Sequence, residues 1–158
     1  MEPKIGIDLS KQKESSKMLS KLLADEMILY VKTLNYHWNV RGLHFGSLHK
    51  LLKKQYEKLS AWIDEIAERI RTIGGDAPGT MSEFIKMSSL KEHPGERPSE
   101  KEMLKNLLDD QESLICSFRK GVDASQEEFH DVGTSDFLTS LLEGHEQIAW
   151  MTRAHLEK

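Results

Sequence analysis

Four residues of this 158-residue chain, His37, His49, Asp64 and Glu68, have the types and spacing to hold a divalent cation. Asp64 and Glu68 stand four apart, which makes them neighbours on one face of a helix, and adjacent carboxylates suit such an ion. Two imidazoles with two carboxylates suit Fe(II), with zinc as the usual rival. Each pair also has an ordinary reading: the carboxylates lie in a charged Glu-Arg-x-Arg stretch that fits a solvated face, and the histidines fit partly buried, hydrogen-bonded rings.

Distance bears on whether the two pairs act together. If one helix carries His49, Asp64 and Glu68, then His49 lies roughly 60° around it from Asp64 and roughly 100° from Glu68. At about 1.5 Å per residue, however, it stands about 22 Å and about 28 Å from them along the axis. No single ion reaches both ends. His37 falls just before a turn and His49 one turn after it, so each chain holds an imidazole half-site at one end and a carboxylate half-site at the other. Two chains paired antiparallel about a two-fold axis bring unlike halves together, twice per dimer.

The elements that carry these residues are helical. Pro3, Pro78, Pro94 and Pro98 leave two long stretches, 4–77 and 99–158, free of proline. From Ser10 to Trp38, Leu19, Leu22, Leu23, Met27, Tyr30, Val31, Leu34 and Trp38 recur mostly at three- and four-residue steps, predicting a first helix. Asn39–His44, with Gly42, reads as a short turn. A second helix then runs from about Leu48 to a stop at Gly74-Gly75, antiparallel to the first. Residues 74–98 form a crossover with one short helix, opened by the capping box Thr80-Met81-Ser82-Glu83 and running through about Ser88. Pro98 leads into a second box, Ser99 to Glu102, which starts the third long helix; Gly121 and the polar stretch to His130 weaken its end. The last helix opens at Asp131-Val132-Gly133-Thr134. The crossover is long enough to make the second and third long helices parallel, the arrangement of ferritin-like four-helix bundles.

Composition narrows the function classes. The chain is 38% hydrophobic and carries a net charge of −4, which fits one folded domain, residues 1–158, with a short N-terminal arm over 1–10. Its longest apolar run, Met27–Val31, is far short of a membrane span, and no targeting signal is visible, so no membrane partner and a cytoplasmic location are expected. Cys116 is the single cysteine, which removes an intrachain disulfide. The excess of 26 acidic over 22 basic side chains argues against a surface built wholly for nucleic acid. No repeat or low-complexity tract interrupts the chain.

At the candidate ligands the sequence resembles a known family. Asn35-Tyr36-His37-Trp38-Asn39-Val40-x-Gly42, Phe45, Leu48-His49-x-Leu51 and Asp64-x-x-Ala67-Glu68-Arg69-Ile70 followed by Gly74 look like the signature of Dps proteins, the DNA-protection-during-starvation branch of the ferritin-like superfamily. Leu22-Leu23-Ala24-Asp25-Glu26 and the stretch from Gly133-Thr134-x-Asp136 to Trp150 extend the likeness over most of the chain. The resemblance implies a hollow dodecameric cage that oxidises Fe(II) with hydrogen peroxide or oxygen, stores ferric mineral and so protects against oxidative damage. It implies that His37 and His49 of one subunit face Asp64 and Glu68 of another; zinc, the rival ion for such a ligand set, would substitute for iron there. Asp131 and Asp136 would line acidic pores, or would simply cap the last helix.

One position departs from the pattern. Four residues after His49 the family usually has an Asp or Glu bridging ligand, and here Lys53 stands instead, either beside the metal or turned outward to pair with Glu57. A Dps-like shell with a weakened ferroxidase centre is therefore an alternative. A nucleoid DNA-coating cage is another; Lys4, Lys11, Lys13 and Lys17 against Glu2, Asp8 and Glu14 leave only +1 on the N-terminal stretch, so weak or absent DNA binding is expected. Trp38 reads as packing or as an oxidisable ring. His44 reads as an exposed turn residue, His145 as a satisfied core or interface histidine, and His93, His130 and His155 show no partner pattern.

Overall fold

The computed structural model describes residues 3–157. Five helices follow in order: α1 Leu9–Asn39, α2 Phe45–Thr72, α3 Met81–Met87, α4 Glu100–Glu127 and α5 Val132–Ala154. Two antiparallel hairpins, α1 with α2 and α4 with α5, pack face to face, and α3 lies against α1 in the crossover. Lys32 meets Asp110 and Tyr36 meets Asn106, so α1 and α4 run antiparallel and α2 and α4 parallel, as the crossover length predicted.

The core is the sum of the apolar stripes: Leu19, Leu23 and Leu29 of α1, Leu52, Leu59, Ile66 and Ile70 of α2, Leu107, Leu114 and Phe118 of α4, and Leu138 of α5 are essentially sealed from water. Both expected capping boxes form. The Thr80 hydroxyl accepts from the Glu83 amide and the Ser99 hydroxyl from the Glu102 amide, while each glutamate returns a bond to its cap. Those bonds stabilise the carboxylate form, so Glu83 and Glu102 both ionise below the usual glutamate range. α2 ends where the double glycine begins. Gly74 takes φ +91, and a Cβ there would fall 2.7 Å from Pro3, so the turn needs glycine for both its backbone and its packing.

One feature differs from expectation. α4 does not weaken at Gly121 but runs through to Glu127. A Cβ at Gly121 would lie 3.1 Å from both Leu138 and Met18; the missing side chain lets α4 approach α1 and α5 closely. The N-terminal arm is fastened: the Gln12 side chain donates to the Ile7 carbonyl at 2.7 Å and the Pro3 carbonyl at 3.3 Å. Lys11, Lys13 and Lys17 belong to α1.

Buried polar contacts fix the register. Asp25 accepts from the Ser88 hydroxyl and from the amide and hydroxyl of Ser89, anchoring the crossover where α3 ends. Lys32 and Asp110 form an ion pair at 2.5 Å; burial pushes the Asp110 carboxyl above the ordinary aspartate range, and the Lys32 ammonium partly offsets this.

Candidate metal centre

The α1–α2 turn folds His37 and His49 onto each other. Their rings stack with centroids 3.8 Å apart and 20° between planes. Tyr56 meets His37 edge-on at 5.1 Å, and Phe45 stacks on His49 at 5.1 Å. The hydrogen bonds are reciprocal: His37 Nδ1 lies 2.9 Å from the His49 carbonyl, and His49 Nδ1 lies 2.9 Å from the His37 carbonyl. A carbonyl only accepts, so each Nδ1 carries a proton, and a ring in its neutral form has its lone pair on Nε2. Metal-binding histidines are oriented in this way, with the non-ligating nitrogen donating to a backbone carbonyl. His37 is buried, with 8% exposure, and His49 is half-buried.

Asp64 and Glu68 lie one turn apart on α2, both exposed. The neighbouring cation does not neutralise them. Arg69 turns away to donate from Nε to the Thr134 hydroxyl at 2.9 Å and from Nη2 to Asp131 at 2.8 Å. Among the described residues no three His, Cys, Asp or Glu side chains converge on one point. The fold thus joins the two imidazoles at one end of the α1–α2 hairpin and presents the two carboxylates on the exposed face of α2.

Lys53 takes the outward course: its ammonium lies 3.7 Å from Glu57 and its side chain is 56% exposed. At the start of α5 the capping alternative describes Asp131, which is 2% exposed and accepts from the Thr134 amide, the Thr134 hydroxyl and Arg69. Asp136 is exposed. His44 is exposed in the turn, as expected, but it has a partner the sequence did not reveal. Glu100 at the start of α4 lies 2.7 Å from its Nδ1, and that bond lowers the Glu100 pKa. Trp38 is 68% exposed beside the half-site, so within one chain it is not core packing. His145 is fully buried, and its partner Glu26 was missed. Glu26 falls in register with Leu19, Leu22, Leu23 and Leu29, and a carboxylate inside an apolar stripe was the available signal.

Known proteins resemble this chain in sequence and in fold. A family model described as a ferritin-like domain matches residues 16–158. An uncharacterized low temperature-induced protein of Nostoc sp. is 48% identical over 157 residues, 98% of this chain and 88% of the relative. DNA protection during starvation protein 2 of Bacillus anthracis is 36% identical over 146 residues, 92% of this chain and 99% of the relative. Among solved structures, DpsC from Streptomyces coelicolor superposes with a TM-score of 0.96 at 31% identity, covering 100% of this chain and 91% of that one.

Proposed function

Since this chain belongs to the Dps family of the ferritin-like superfamily, we propose that it is a ferroxidase and iron store. In this reading it assembles as a hollow dodecamer and binds Fe(II) between subunits, at His37 and His49 of one chain and Asp64 and Glu68 of another. It oxidises the iron with hydrogen peroxide or oxygen and retains the ferric product as mineral. The observation that carries the reading is the reciprocal histidine pair, which fixes both tautomers and leaves two Nε2 lone pairs for iron.

Iron here is substrate. Two Fe(II) ions each give one electron to hydrogen peroxide; the O–O bond breaks, two Fe(III) form, and both oxygens leave as hydroxide or water without a free hydroxyl radical. The carboxylates suit the harder Fe(III) product, and the imidazoles suit Fe(II). Asp136 remains the exposed candidate for an acidic pore that draws cations inward. The net charge of −4 per chain, repeated over a dodecamer, favours cation entry over DNA coating, and Lys11, Lys13 and Lys17 belong to α1 rather than to the arm.

Anaerobic Fe(II) titration, followed by peroxide, tests the proposal. Saturable binding per subunit and rapid formation of ferric product are expected, by a particle with the mass of about twelve chains. Lys53→Glu places a carboxylate one turn beyond His49 and is expected to tighten Fe(II) binding several-fold, because it replaces a repelling charge with an attracting one. Absence of saturable binding in the native chain overturns the ferroxidase reading; unchanged affinity in Lys53→Glu overturns only the idea that Lys53 weakens the centre.

A further inference from the structure

We propose a second cation site, inside each chain rather than between chains, at the centre of the bundle. Glu26 of α1, Gln111 of α4 and His145 of α5 meet there, and the side chains of Glu26 and His145 have no exposure to solvent. His145 Nδ1 lies 2.7 Å from Gln111 Oε1, and Nε2 lies 3.1 Å from Glu26 Oε2. Trp62 of α2 closes the site, its ring centroid 4.6 Å from the imidazole, with that of Phe118 at 5.0 Å.

The hydrogen bonds set the problem this cluster must solve. Nδ1–H donates to the Gln111 side-chain oxygen, so a ring in its neutral form has its lone pair on Nε2, facing the Glu26 carboxyl group. Neither Glu26 oxygen nor His145 Nε2 has a hydrogen-bond partner. Acceptors facing each other in apolar surroundings need a cation among them. A proton satisfies Nε2 and one oxygen and leaves the other oxygen buried without a partner, an arrangement folded proteins rarely keep. A metal ion held by both Glu26 oxygens and Nε2 satisfies all three.

The spacing already suits an ion. With bonds of about 2.1 Å to nitrogen and oxygen, a donor separation of 3.1 Å corresponds to an angle of about 95° at the metal, within the range of six-coordinate sites and near that of four-coordinate ones. Gln111 supplies the outer bond that orients a ligating histidine. Imidazole with carboxylate selects a divalent ion such as Zn(II) or Fe(II). Di-iron bundles draw acidic ligands from all four helices; here α2 offers Trp62 and α4 offers Gln111, so the site takes one ion, with water in its remaining positions. Its role is to clamp α1 to α5, diagonal helices whose backbones do not pack on each other.

The test uses the assembled full chain carrying His37→Ala and His49→Ala, which removes the intersubunit imidazoles. After metal stripping and overnight anaerobic incubation with Co(II), long enough for local opening, equilibrium dialysis and visible absorption count the bound ion. About one Co(II) per chain is expected, lost on adding His145→Leu, with Zn(II) raising Tm only where His145 is present. Should His145→Leu fail to fold, the isosteric Glu26→Gln is expected to lose the same equivalent. A folded His37→Ala/His49→Ala protein that binds no such ion overturns the proposal and leaves a proton between Glu26 and His145. An equivalent that survives in whichever of the two variants folds overturns it as well.

Discussion

His37→Ala is expected to slow Fe(II) oxidation by at least about 10–100-fold, the loss seen when even a supporting partner of a metal ligand is removed. The substitution deletes one Nε2 donor and also frees the second ring, because the imidazoles stack at 3.8 Å and hold each other's backbone carbonyls. Glu68→Ala is expected to match it kinetically for a different reason: the residue is exposed and, among the described residues, makes no ion pair, so folding stability stays within about 0.5 kcal/mol. Ferric product absorbance measures the rate, and light scattering shows whether the particle keeps its mass. Native rates in both variants contradict the assignment.

The second large effect concerns stability. Arg69→Ala is expected to cost about 2–4 kcal/mol, near the cost of breaking a buried ion pair by removing one partner. Asp131 is only 2% exposed, so its carboxylate stays behind in a poorly solvated place, supported by Thr134 alone. For a domain of this length the loss corresponds to roughly 5–15 °C in Tm. Adding Asp131→Asn removes the stranded charge and is expected to return part of that loss. If the double variant melts no higher than Arg69→Ala, the penalty comes from lost packing and not from the charge.

Much of the architecture was legible because it depends on local rules. The apolar period over Leu19–Trp38, the Gly74-Gly75 stop and the capping boxes at Thr80 and Ser99 each act within a few residues, and the expected helix over Ser10–Trp38 became Leu9–Asn39. Gly121 misled because its purpose is tertiary: it admits Leu138 and Met18, which no local pattern reveals. The candidate site divides in the same way. Residue spacing separated the two half-sites, but the ring stack and the crossed Nδ1–H bonds depend on how the turn closes, and they appear only in three dimensions. Asp131 looked equally suited to pore or cap; its bonds from the Thr134 amide and hydroxyl are the local capping pattern, whereas the approach of Arg69 from α2 could not be read from the sequence. Glu26 and His145 lie 119 positions apart in the sequence, so their meeting depends on the bundle's diagonal geometry.

The claim that one chain holds only half of each centre is tested most directly by mixing two inactive variants. His37→Ala/His49→Ala keeps its carboxylates, and Asp64→Ala/Glu68→Ala keeps its imidazoles. In a mixed two-fold pair one site loses both halves and the other keeps both. Reassembled from equal amounts, the particles are expected to regain about one quarter of the native Fe(II) oxidation rate, since half the pairs are mixed and each restores one of its two sites. Co-assembled particles that remain as inactive as either parent contradict an intersubunit centre.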